Sequence, residues 1–132
     1  MNVGDRISHI TNWISNYAKS NSNKTFELVV GVSGGIDSTV TSSLCAMTGI
    51  KTHAVSMPIK QNSNQHDLSL IHINWLKRKY NNIRTYIIEL DEVFKIFQKT
   101  MNEFDSELAF ANSRARLRMV TLYQIAQNYK AL

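Results

Sequence analysis

The chain has 132 residues, enough for one compact domain with a modest core and too few for two. Hydrophobic residues make up 43% of it, which excludes disordered and collagen-like classes, and one cysteine, Cys45, excludes an internal disulfide or a cysteine-built zinc site. The net charge of +5 favours anionic partners such as nucleotides, although a solvated basic surface has the same composition.

Ile7, Ile10, Trp13, Ile14 and Tyr17 recur at helical spacing, predicting a first helix with Asp5 as its N-terminal cap. The polar run Ser20 to Lys24 ends it, and Asn23-Lys24-Thr25, a glycosylation-type triplet, reads as a turn. From Phe26 to Val32 the apolar residues run together rather than alternate, which predicts a short buried strand. Ser33-Gly34-Gly35 breaks it, and a helix follows from about Asp37 through Ala46, closed by Thr48-Gly49. Lys51 to Met57 reads as a second strand, stopped by Pro58. A polar loop through Gln65 leads to a helix carrying Leu68, Ile71, Trp75 and Leu76. Ile83 to Leu90 gives a third strand. Val93, Phe94, Phe97 and Met101 mark another helix, and a long helix runs from about Glu107 to Asn128.

Strands alternating with helices predict parallel βαβ units with right-handed crossovers and the strand order 3-2-1. The fold class is therefore α/β, a doubly wound, Rossmann-like parallel sheet. A fourth strand would pair with the other side of strand one at about Leu132. The expectation is thus a sheet truncated after three strands, with Leu28, Val29 and Val30 on an exposed edge.

Gly31-Val32-Ser33-Gly34-Gly35-Ile36-Asp37-Ser38 joins a strand to a helix. Glycines let backbone N–H groups close on an anion, and the following helix aims its positive end at the same place. Ser33 and Ser38 add hydroxyls, and Asp37 beside a phosphate makes sense with Mg²⁺ between them. A Walker A loop needs a lysine after Gly35, where Ile36 stands, and the glycine spacing does not fit G-x-G-x-x-G. Ser33 to Ser38 instead match the S-G-G-x-D-S loop of the ATP pyrophosphatases at every fixed position. The competing reading is a structural serine-glycine turn, whose chemistry would not require the aspartate.

Ala111-Asn112-Ser113-Arg114-Ala115-Arg116-Leu117-Arg118-Met119 resembles the G-N-x-x-A-R-x-R-M helix start of the ammonia-dependent NAD⁺ synthetases, with Ala111 in place of the usual glycine. The first helix, Ala54 to Pro58 and Asn64-Gln65-His66 also look like that family. The resemblance spans nearly all of this chain but about half of the family's catalytic domain, so residues 1–132 are expected to be the N-terminal part of one domain. It implies that Gly31 to Ser38 bind ATP, that Asp37 helps to hold Mg²⁺, and that Arg118 contacts deamido-NAD⁺ at a homodimer interface. It also implies adenylation of the nicotinate carboxylate, then displacement of AMP by ammonia. Ser56 stands where several members carry an arginine near the adenine. The family's later motifs, including a glutamate that completes the Mg²⁺ site, have no counterpart in these residues, so catalysis by this chain alone is not expected and no catalytic residue is assigned.

The residues of that helix leave more open. Leu108, Ala111, Ala115, Met119, Leu122 and Ala126 form an apolar stripe with Arg116 and Arg118 on opposite flanks, and either arginine could reach a ligand or stay in solvent. His66-Asp67 reads as loop or cap, and His9, His53 and His72 as structural. Lys77-Arg78-Lys79 reads as the wet face of a helix rather than a nucleic-acid contact, and Trp13 and Trp75 read as core. No stretch is long and apolar enough to span a bilayer, no basic segment leads into an apolar run near Met1, and the single thiol fits a reducing compartment, so a cytoplasmic location is expected. Two alternatives remain: another adenylating ATP pyrophosphatase (an amidotransferase synthetase or a tRNA-modifying enzyme), or a non-catalytic nucleotide-binding module.

Overall fold

A computed structural model describes residues 2–19, 26–59 and 63–132. The polar stop Ser20 to Lys24, the Asn23-Lys24-Thr25 triplet and residues 60–62 of the loop before Gln65 lie outside the described residues. The elements are α1 (Val3–Lys19), β1 (Leu28–Gly31), α2 (Ile36–Met47), β2 (Thr52–Ser56), α3 (Ser63–Lys79), β3 (Ile83–Ile87), α4 (Asp91–Thr100) and α5 (Glu107–Tyr129). The three strands form one parallel sheet in the order β1-β2-β3, as the alternation predicts.

β2 is the central strand and is buried at every position. On one face Val55 and Met57 pack with Ile59, Leu90, Phe94 and Phe110, under α4 and α5. On the other, Ala54 and Val32 pack with Ala46, Ile73 and Leu76 of α2 and α3. α1 lies on α2 through Ala18, Leu28 and Cys45. Burial holds the Cys45 thiol up at about 11, so it stays protonated and acts as a small apolar group.

The outer edge of β1 is not bare. Lys130 takes a left-handed conformation (φ 51°), and the chain leaving α5 turns back along β1. The Val29 amide donates to the Leu132 carbonyl (2.6 Å), the Leu132 amide donates to Glu27 (2.7 Å), and Ala131 lies parallel to Glu27. Leu28 is buried while Val29 and Val30 are half-buried, so the expected exposed edge is partly covered because these amide bonds already satisfy its first residues.

Several side-chain expectations need correction. Asn2, not Asp5, caps α1: its Oδ1 accepts from the Asp5 amide at 2.8 Å. Trp13 is 59% exposed, stacked on Tyr17 at 5.4 Å, whereas Trp75 is half-buried beside the α3 core. Leu68 and Ile71 are exposed, and α3 buries Ser69, His72, Ile73 and Leu76 instead. His66 and Asp67 lie within α3 rather than in a loop. On α5 the packed face runs through Phe110, Leu117, Leu122 and Ile125, leaving Leu108 and Met119 exposed. Lys77, Arg78 and Lys79 are exposed in the last turn of α3, where the helix dipole favours cations.

His53 and His72 are buried. His53 Nδ1 meets the Tyr86 hydroxyl at 2.9 Å, its ring stacks on Tyr129 at 4.4 Å, and its Nε2 lies 3.4 Å from Glu27. Burial lowers its pKa from 6.5, outweighing the opposing pull of Glu27, and burial also lowers that of His72. A depressed folded pKa means that the unfolded chain takes up the proton first. The stability these neutral rings contribute is therefore full above about pH 6.5 and lost as pH falls through the range below it. The urea midpoint should fall between about pH 7.5 and about pH 5.5, with a shallower fall in His72→Gln. An identical slope in wild type and variant would remove His72 from this account.

Candidate functional site

β1 ends at Gly31, and the Val32 amide still donates across to Val55 (2.8 Å), so the loop leaves the sheet at its carboxyl end. Gly34 sits at φ +92°, a conformation that L side chains rarely adopt. A Cβ there would also fall on the Gln65 carbonyl oxygen in the first turn of α3. The loop thus turns in backbone contact with α3, which requires glycine twice over.

The hydroxyls of the loop bond mainly to the loop itself. Ser33 Oγ accepts from the Gly35 amide (3.3 Å) and lies 3.1 Å from Ser38 Oγ, which accepts from the Ser33 amide (3.1 Å) and can donate to the Gly35 carbonyl (3.2 Å). Thr39 Oγ1 donates to that carbonyl as well (2.8 Å). Ser33 and Ser38 therefore shape the turn, a role beyond the ligand-facing one expected of them. Gly35 is the N-cap of α2 and no side chain of the described residues caps that end, whose helix dipole favours an anion. Ile36 and Asp37 open the helix, both exposed.

A buried polar seam ties α3 to α2 and to the end of β2 behind this loop. Ser42 Oγ meets His72 Nε2 at 2.7 Å, and Ser56 Oγ meets Ser69 Oγ at 3.2 Å. Ser69 also donates to the His66 carbonyl at 2.7 Å. Ser56, at the end of β2, is spent on this seam.

A cleft of about 450 Å³ opens beside the loop, lined by Gly31, Val32 and Ser33 on one wall and Arg114 and Arg118 on the other, with Gln65 and an apolar floor of Met57 and Ile59. Gly34 to Ser38, including Asp37, flank the cleft without lining it. Arg118 Nε donates to the Met57 carbonyl at 2.9 Å. Burial, with a smaller contribution from neighbouring Arg114, lowers the Arg118 pKa, yet a guanidinium stays charged. The two arginines of the motif are placed differently: Arg118 lines this cleft with the loop, whereas Arg116 lines an apolar hollow against Val93 and Phe97. Arg114 escaped the motif reading, although its i,i+4 relation to Arg118 places both on one helix face.

The profile of the NAD synthase family matches residues 6–132. This chain belongs to the NAD synthase family. It is 33% identical over 130 residues to the NH₃-dependent NAD⁺ synthetase of Finegoldia magna, covering 97% of this chain and 51% of that protein. The structure of NMN synthetase from Francisella tularensis superposes with a TM-score of 0.83 at 31% identity, covering 99% of this chain and 52% of that one. The NH₃-dependent NAD synthetase of Campylobacter jejuni, solved with a nitrate ion, gives 0.85 at 27% identity over 100% of this chain and 55% of that one. The chain thus spans about half the length of the relatives it matches, and its sheet is the Rossmann-like α/β sheet of NAD synthases.

The Gly34 constraint is open to direct test. Gly34→Ala should lower stability by roughly 1–3 kcal/mol through backbone strain alone, with a further loss from the collision with α3. Gly49→Ala supplies the comparison, since Gly49 is also at positive φ (+75°) but in open space. Equal denaturant midpoints for the two variants would show that the α3 contact adds nothing.

Proposed function

We propose that residues 1–132 are the N-terminal part of a single ATP-pyrophosphatase domain, whose complete form is an ammonia-dependent NAD⁺ synthetase, a carbon–nitrogen ligase. The observation that carries this reading is one cleft with Gly31, Val32 and Ser33, where the S-G-G-x-D-S loop begins, on one wall and Arg118 on the other, in a chain of this family. The reaction is ATP-dependent amidation of deamido-NAD⁺. A nicotinate carboxylate oxygen attacks the α-phosphorus of ATP and pyrophosphate leaves. Ammonia then attacks the acyl carbon, the bond to AMP breaks, and NAD⁺ is formed as the nitrogen loses a proton.

Each part of the loop has a task in that scheme. Gly34 brings the chain close, and the uncapped N–H groups at the start of α2 stabilise charge on the phosphates. Asp37 would hold Mg²⁺. Its carboxylate is exposed beside the loop, and Mg²⁺ is commonly held by one or two carboxylates together with substrate phosphates and water, so the donor fits. When bound, the ion neutralises charge on the departing pyrophosphate. Arg118, anchored on Met57, would contact the dinucleotide. α4 and α5 expose Ile96, Leu108, Val120 and Tyr123, apolar surface that supports a homodimer.

A second reading differs only in the acceptor. The likeness to the Francisella tularensis NMN synthetase favours a mononucleotide in place of the dinucleotide. Competition between the mononucleotide and dinucleotide acids for the purified protein separates the two.

Calorimetry should show Mg-ATP binding that Asp37→Asn weakens, while the binding of ATP without Mg²⁺ is unchanged. Equal Mg-ATP affinities would sink the metal role of Asp37. Because the chain spans about half of its relatives, the 132-residue protein should make no detectable NAD⁺ from deamido-NAD⁺, ATP and ammonia, read by an enzymatic cycling assay. Robust synthesis would overturn the view that further residues are needed.

A further inference from the structure

Arg114 and Arg118 stand one turn apart on α5 and both line the cleft, and no Asp or Glu lines it among the described residues. No carboxylate of the described residues forms an ion pair with either guanidinium. Like charges at this spacing repel, and half-burial of Arg118 deprives its charge of water. What holds each group is uncharged. Arg118 donates to the Met57 carbonyl at 2.9 Å, and the Arg114 guanidinium lies over the Phe94 ring, 5.4 Å from its centroid. Phe94 is itself fully packed in the core between the sheet, α4 and α5, so it is a fixed platform. These contacts orient the two planar forks without neutralising them, which is the arrangement that an incoming oxyanion stabilises.

We propose that Arg114 is a second substrate-binding residue, forming with Arg118 a two-guanidinium seat for an oxyanion of the nucleotide acceptor, its phosphate or its carboxylate. This rests on the reading given under Proposed function. On the β1 side the loop and the flanking start of α2 supply the counter-charge for ATP, and the arginine pair supplies another on the α5 wall. Two polyanions drawn together for adenylyl transfer repel unless each has its own positive partner, and the cleft provides one on each side.

The test is calorimetry of wild type, Arg114→Gln and Arg114→Lys with Mg-ATP and, separately, with deamido-NAD⁺. Removing one charge-assisted contact should weaken deamido-NAD⁺ roughly tenfold or more and leave Mg-ATP affinity unchanged. Lysine should restore only part, because it keeps the charge and loses the fork. Nicotinamide mononucleotide, which has the phosphate alone, and nicotinate riboside, which has the carboxylate alone, show which oxyanion carries the loss. Wild-type affinity for deamido-NAD⁺ in both Arg114 variants, with Mg-ATP still bound, overturns the seat and leaves the proposed function standing. An equal loss for Mg-ATP and deamido-NAD⁺ overturns the assignment to the acceptor. A wild-type protein that binds neither ligand brings down the underlying reading as well.

Discussion

Gly34 has to reach φ +92° while its Cα lies against the Gln65 carbonyl of α3, and the geometry of the cleft follows from that close approach. A strand that feeds a helix through so few residues must reverse its amide directions within the loop. A residue with a side chain would both strain the turn and push α3 away. With glycine there, α2 starts hard against the carboxyl end of β1, its uncapped end beside the cleft mouth. The chain's own hydroxyls, Ser33, Ser38 and Thr39, then hold the turn without a ligand. A site formed in advance in this way does not spend binding energy on ordering itself.

Behind the loop, the packing of α2 on α3 is unusually polar for a buried contact. Ser42, Ser56, Ser69 and His72 are at most 9% exposed, and their side chains are bonded across the seam or back to the backbone. Such groups are costly when unpaired and directional when paired, so Ser42 with His72 fixes α3 against α2, and Ser56 with Ser69 fixes it against β2, more sharply than apolar surfaces that can slide. Neutral His72 is part of this lock: Ser42 donates to the Ser38 or Thr39 carbonyl, which leaves its oxygen to accept from the ring N–H. The phosphate-type loop is held at one end by glycine contact and at the other by this seam.

The same seam explains what the sequence could and could not convey. The three strands and the glycine loop were legible, because Gly31, Gly34-Gly35, Gly49 and Pro58 mark where backbone regularity has to stop. Helical spacing showed that α1, α3 and α5 are helices but not which face each one buries. On α3 the exposed Leu68 and Ile71 outweigh the buried Ser69 and His72 in any hydrophobic pattern, since a hydrogen-bonded contact carries no apolar signature. On α5 apolar residues occupy two faces, and only the sheet decides that Leu117 and Ile125 go inward while Leu108 and Val120 stay out. The motif pointed to Arg118, which lines the cleft. It did not point to Arg114, whose place beside it depends on Phe94 of α4 lying under its guanidinium.

The position of the cleft follows from the order of the sheet. In a doubly wound sheet, helices leave the first strand and its two neighbours toward opposite faces, and a crevice opens where the order reverses. Here β2 pairs with one side of β1, while Ala131 and Leu132 run parallel to its other side at Glu27 to Val29. The reversal therefore falls on β1. α2 packs from one face and α5 from the other, diverging just where β1 ends at Gly31. A second hollow of about 590 Å³ continues from that point along Val29 and Val30 beneath Met119 and Tyr123. The divergence places helix-end amides beside one wall and arginines on the other, because α2 starts at the carboxyl edge while α5 runs past it along its own length. The proposed chemistry needs anion-binding groups on both sides of the cleft, and the topology supplies two helices at that edge to carry them.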